Sequence, residues 1–73
     1  MLYLELSTPL ASPTPEKDCE EMAAIATRLG LPVKADINGI LVTAYVNDDG
    51  KKLAGAWSKA NQRGADYAEA NDS

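Results

Sequence analysis

The chain has no histidine and no phenylalanine, one cysteine and one tryptophan among its 73 residues. Lack of histidine removes the commonest general base and the commonest metal ligand together, so metal centres and nucleophilic triads lose their usual components. A single cysteine cannot close an internal disulfide. No apolar run approaches the roughly 20 residues that a membrane helix needs. The opening Met1-Leu2-Tyr3-Leu4-Glu5-Leu6 has no basic start and is interrupted by a charge, unlike a signal peptide. These features predict a cytoplasmic protein with no membrane partner. Positive charge is also scarce: seven basic side chains against eleven acidic ones leave a net charge of −4. That balance works against direct nucleic-acid binding, which relies on clustered Lys and Arg.

Without Phe, the core must be built from Ala, Val, Ile and Leu, and many of these are small alanines. A chain of this size makes one domain, spanning residues 1–73, near the lower limit at which a core holds without metal or disulfides. It buries only about 60% of its unfolded surface. The same shortage of burial predicts a homodimer that hides further apolar area.

The strongest local signal is Asn38-Gly39, set between Val33–Ile37 and Ile40–Val46. Two residues that tolerate positive φ between β-rich runs specify a type I′ hairpin. Its register places Ile37 opposite Ile40, Ala35 opposite Val42, Val33 opposite Ala44 and Leu31 opposite Val46 on one apolar side. The other side pairs Asp36 with Leu41, Lys34 with Thr43 and Pro32 with Tyr45.

Ahead of the hairpin, Leu2, Leu4 and Leu6 alternate with Tyr3 and Glu5 at the period of a half-buried strand. The proline-rich stretch Ser7–Pro15 then carries the chain out of the sheet without helix. Thr14 as cap, Pro15 in the first turn and Glu16 and Asp18 at the positive end of the dipole start a helix over Pro15–Leu29. Cys19, Met22, Ala23, Ile25, Ala26 and Leu29 form its apolar stripe. Gly30, Leu31 and Pro32 end it.

After Val46, Asn47–Lys51 reads as a bulged turn that folds Lys51–Trp57 back as a fourth strand. The competing reading is one helix from near Lys51, since Leu53, Trp57, Ala60, Gly64 and Tyr67 recur at helical spacing. A second helix over Ser58–Ala70, with Ser58 as cap, follows in the strand reading, and Asn71-Asp72-Ser73 fray. The fold class is therefore α+β: a small antiparallel or mixed sheet of three to four strands, in the order β-α-β-β-(β)-α, with helix one packed on one face.

Catalytic groups are hard to assemble from these residues. Cys19 belongs to the apolar stripe, has Asp18 and Glu20 beside it to disfavour a thiolate, and has no partner base. Glu16, Asp18, Glu20 and Glu21 sit at a helix start and Asp48 and Asp49 in a turn, where capping and solvation account for them. The turn lacks the ligand spacing and closing Glu of a calcium loop. The scattered glycines form no phosphate loop. No catalytic residue, metal or cofactor is assigned, and the chain reads as a non-enzyme.

One constellation does suggest binding. With the fourth strand in place, Tyr3, Leu41, Tyr45 and Trp57 share the sheet face away from helix one. That face is either covered by the second helix or open as a protein interface. The leading reading is a protein-binding module, homodimeric, acting through these four residues. The alternative is a small acidic inhibitor that blocks a nucleic-acid-binding protein by charge mimicry, with Glu16, Glu20, Glu21, Asp48 and Asp49 as its surface. In size, acidity and shortage of catalytic groups the chain is similar in general character to accessory and inhibitor proteins of bacteriophages and mobile elements. No residue motif carries that likeness.

Overall fold

The computed structural model describes residues 2–6 and 9–72. The chain runs β1 (Leu4–Glu5), α1 (Pro15–Leu29), β2 (Val33–Ile37), β3 (Ile40–Ala44), α2 (Gly50–Arg63), β4 (Tyr67–Glu69) and a short 3₁₀ turn, Ala70–Asp72. The strands form one mixed sheet in the order β1-β2-β3-β4. β1 is parallel to β2, β2 antiparallel to β3, and β3 parallel to β4. The hairpin thus joins two halves built on one plan, in which a strand, a helix and a parallel strand follow one another.

The hairpin has the expected register, with Ile37 opposite Ile40, Ala35 opposite Val42 and Val33 opposite Ala44. Asn38 and Gly39 both have positive φ, 54° and 87°, as a type I′ turn requires. The Asp36 carboxylate accepts the Gly39 N–H at 2.9 Å and closes the bend. The Asn38 side chain reaches across to the proline-rich connection, accepting the Ser12 N–H at 2.8 Å and donating to the Ser12 carbonyl at 3.0 Å.

Helix α1 has the expected bounds, but Thr14 occupies the cap position without a side-chain cap hydrogen bond. Its N–H instead donates to the Ser12 hydroxyl. Cys19, Met22, Ala23 and Ala26 of the stripe are buried, whereas Ile25 and Leu29 are exposed. The connection before α1 does not simply leave the sheet: Leu10 returns to its edge beside Ile37, donating to Asp36 and accepting from Asn38. Ser7 and Thr8 of that stretch lie outside the described residues.

Residues 51–57 correct the sequence reading, because they are helix and not a fourth strand. Asp49 caps α2 by accepting the Lys51 N–H at 2.9 Å. From there Leu53, Ala54, Ala56, Trp57 and Ala60 turn one buried stripe to the sheet and α1. Alanines that fit a strand poorly are the best helix formers, and a complete apolar stripe decides in their favour. Ser58 accordingly lies inside the helix and does not start one. Gly64, with φ 70°, ends it, and Ala65 N–H bonds back to Ala60. The chain can then form β4, so Tyr67–Glu69 is strand where the sequence suggested helix. Asn71 and Asp72 continue into the 3₁₀ turn, which packs on α2.

Both helices contribute to one core with Val33, Ala35, Ile37, Ile40, Val42, Ala44 and Ala68. They therefore cover the same sheet face. Among the described residues no helix covers the other.

Candidate functional site: the open sheet face

Alternation along each strand sets what the uncovered face carries. In register across the sheet are Glu5 with Lys34, Lys34 with Thr43 and Thr43 with Glu69; Asp36 lies opposite Leu41, and Leu41 opposite Tyr67. Tyr3 and Tyr45, in step with Glu5 and Thr43, belong to the same face. All three tyrosines of the chain thus gather here, each partly exposed.

Glu69 organises one end of the face. Its Oε2 accepts the Tyr45 hydroxyl at 2.7 Å and also the Tyr67 hydroxyl. The Thr43 hydroxyl, fully buried, lies 3.4 Å from the Tyr67 oxygen. Donation by Tyr67 and Tyr45, helped by the positive charge of Lys34, holds the Glu69 carboxyl below its ordinary range. The converse applies to the phenols. Hydrogen bonding to Glu69 raises Tyr45, and burial followed by the Glu69 bond raises Tyr67. At the other end, the Lys34 ammonium sits over the Tyr3 ring, 4.5 Å from its centroid, in a cation–π contact.

Of the four residues picked from sequence, the structure brings Tyr3, Leu41 and Tyr45 to this face. Trp57 does not belong to it: carried on α2, it is only 6% exposed, and its indole Nε1 donates to the Ile37 carbonyl inside the core. Tyr67 takes the place expected of Trp57. Helical spacing through Tyr67 masks Tyr67 and Glu69 in the sequence, although Tyr67-Ala68-Glu69 alternates just after a helix-ending glycine.

The acidic residues divide differently. Glu20, Asp48 and Asp49 line a groove of about 570 Å³ between α1 and the start of α2, together with Arg28 and Lys51. Glu16 and Glu21 do not line it. Asp48 accepts the Tyr45 N–H and Asp49 caps α2, so both carboxylates hold backbone amides. Cys19 is fully buried, and burial, followed by the nearby charges of Asp18, Glu16 and Glu20, pushes its thiol up to about 12. Among the described residues no three His, Cys, Asp or Glu side chains cluster as metal ligands would. No helix among them is long and apolar enough to cross a membrane.

Comparison of the chain with family models, with curated proteins and with solved structures finds no match. The functional reading therefore rests on this face and its chemistry. The face thus brings phenol rings, whose faces are electron-rich, next to a carboxyl held below its ordinary range. A second feature adjoins it, a shallow groove of about 600 Å³ lined by Leu2, Gly30, Leu31, Pro32, Tyr45 and Val46.

Proposed function

We propose that this chain is a non-enzymatic protein-binding module, acting as a homodimer, that docks a partner protein through its open tyrosine face and receives an arginine or lysine of that partner beside Glu69. The observation that carries the reading is the gathering of Tyr3, Tyr45 and Tyr67 on the one sheet face without a covering helix. Tyrosine is enriched in protein interfaces because it combines apolar area with a polar tip at low entropic cost. Glu5, Asp36 and Glu69 against the one cation Lys34 make the face acidic, so a basic partner complements it.

Charge mimicry of nucleic acid by Glu16, Glu20, Glu21, Asp48 and Asp49 has less support. Two of those carboxylates are engaged with backbone amides, and Arg28 and Lys51 interrupt the groove that three of them share.

The test is an amide NMR titration with a blocked arginine tripeptide and, as control, its glutamate counterpart. Shifts at Thr43, Tyr45, Tyr67 and Glu69 with arginine alone support the docking reading. Equal shifts with both peptides, or arginine shifts confined to Glu20, Asp48 and Asp49, overturn it.

A further inference from the structure

Strand β1 stands at the sheet edge, yet it and the residues flanking it expose apolar side chains. Leu2, Leu4 and Leu6 are 85%, 44% and 44% exposed, where alternation in the sequence predicts a half-buried strand. The N–H groups of Leu4 and Leu6 donate inward, to Pro32 and Lys34. By strand alternation, the N–H and C=O groups of Tyr3 and Glu5 point away from β2, along the open edge. On α1, Ala23, Ala24 and Thr27 line the groove toward α2. On a helix Ile25 and Leu29 lie away from that groove, and both are exposed. An apolar strand edge of this kind is a template for another chain unless something pairs with it.

We propose that the β1 edge pairs with β1 of a second copy, antiparallel about a two-fold axis at Leu4, giving one continuous eight-stranded sheet. The occupant follows from the self-complementarity of Leu2-Tyr3-Leu4-Glu5-Leu6. Centred on Leu4, the pairing sets Leu4 against Leu4 of the second copy and Leu2 against its Leu6, all on the helix side, since Leu4 is in register with the core residue Val33. On the open face Tyr3 meets Glu5 of the second copy, and the two residues exchange backbone hydrogen bonds as the outward-pointing pair. Like charges are kept apart in this register. Each Glu5 arrives next to the Tyr3 ring over which Lys34 of the other copy already holds its ammonium, so the charges across the seam are opposite. A two-fold pairing uses the β1 edge of both copies at once, so the contact closes as a dimer and does not propagate through that edge.

This proposal supplies the interface for the homodimer named above and is independent of what the tyrosine face docks. In an antiparallel pair of this type the facing Cα atoms are about 4.5 Å apart, within disulfide reach. Leu4→Cys in a Cys19→Ala background is therefore expected to give a covalent dimer quantitatively under mild oxidation. Glu5→Cys, displaced along the strand from its symmetry mate, is expected to stay mostly monomeric on denaturing gels. Sedimentation equilibrium of the unmodified chain should give twice the chain mass. Glu5→Pro removes the outward N–H and the carboxylate of the seam but leaves the inward donors Leu4 and Leu6, and should halve that mass while far-UV circular dichroism stays native. A monomeric unmodified chain, equal cross-linking of the two cysteine variants, or a dimer that persists in folded Glu5→Pro would each overturn the proposal. Tyr45→Ala with Tyr67→Ala should leave the dimer intact, which separates failure of the docking reading from failure of this one.

Discussion

The indole Nε1 of Trp57 donates to the carbonyl of Ile37 across 3.1 Å of buried space, tying the middle of α2 to the last residue of β2 before the turn. The bond satisfies a polar atom that the core would otherwise strand, and the ring fills the largest single volume that α2 contributes. Trp57→Phe should lose the donor and cost about 1–2 kcal/mol. Trp57→Ala should cost about 3–5 kcal/mol, enough to leave so small a domain largely unfolded. Urea unfolding followed by circular dichroism measures both. A Trp57→Ala variant as stable as the parent would mean that the indole does not lie in the core.

That bond is non-local, and local sequence does not encode it. The hairpin and α1 were legible because their determinants are local: Asn38-Gly39 fixes its own turn, and Pro15, the apolar stripe and Gly30 mark one helix. Residues 51–57 carry conflicting signals, since Leu53 and Trp57 fit either period. What decides is non-local, the burial of Leu53, Trp57 and Ala60 against α1 and the sheet. The same non-local dependence extends to the site. Leu41 and Tyr45 fall on one face by strand alternation alone, whereas Tyr3 reaches it only by the pairing of β1 with β2, and Tyr67 and Glu69 only by the pairing of β4 with β3, which no local pattern encodes.

Asn38 has two duties, a left-handed backbone and a bridge to Ser12. Asn38→Gly keeps the turn but loses both side-chain hydrogen bonds, and should destabilise by about 0.5–1.5 kcal/mol. Asn38→Ala should cost about 1 kcal/mol more, because an alanine resists φ of 54°. Faster hydrogen exchange at the Ser12 amide in both variants would confirm the bridge. Unchanged exchange there would show that the proline-rich connection is held by other contacts.

Gly50 opens α2 where it crosses α1. A Cβ added there would lie 3.0 Å from the Glu20 Cα and 3.2 Å from its Cβ, so the two helices must separate to admit it. Gly50→Ala should therefore destabilise by about 1–3 kcal/mol despite alanine's better helix propensity. Gly55 meets nothing within 4 Å, and Gly55→Ala should stabilise by about 0.5–1 kcal/mol. Opposite signs in paired thermal unfolding curves are the expected result; two stabilising substitutions would mean that the helices do not approach at Gly50.

Cys19 offers a probe of opening. With its side chain fully buried and its thiol pushed up to about 12, the native protein should react with a disulfide reagent at neutral pH only through unfolding. The labelling rate should rise with urea in step with the unfolded fraction. Prompt stoichiometric reaction in native buffer would place the thiol at the surface.

The Tyr45–Glu69–Tyr67 cluster should make stability depend on pH at both extremes. Glu69 is lowered by hydrogen bonds from Tyr67 and Tyr45, so its contribution is present above the ordinary carboxylate range and is lost as pH falls through the folded value. Tyr45 and Tyr67 are raised, the first chiefly by its bond to Glu69 and the second chiefly by burial. Their contribution is present below the ordinary phenol range and is lost as pH rises through the folded values. Between those limits the cluster's contribution is level. Glu69→Gln removes the charge that both phenols serve, so Tyr45 should move most of the way back toward its ordinary value. Tyr67, held up first by burial, should move less. Tyrosinate absorbance during alkaline titration, with Tyr45→Phe and Tyr67→Phe to assign each transition, reads both movements. If the two phenols moved equally in Glu69→Gln, burial would not be the larger cause at Tyr67; if neither moved, Glu69 would not accept from them in solution.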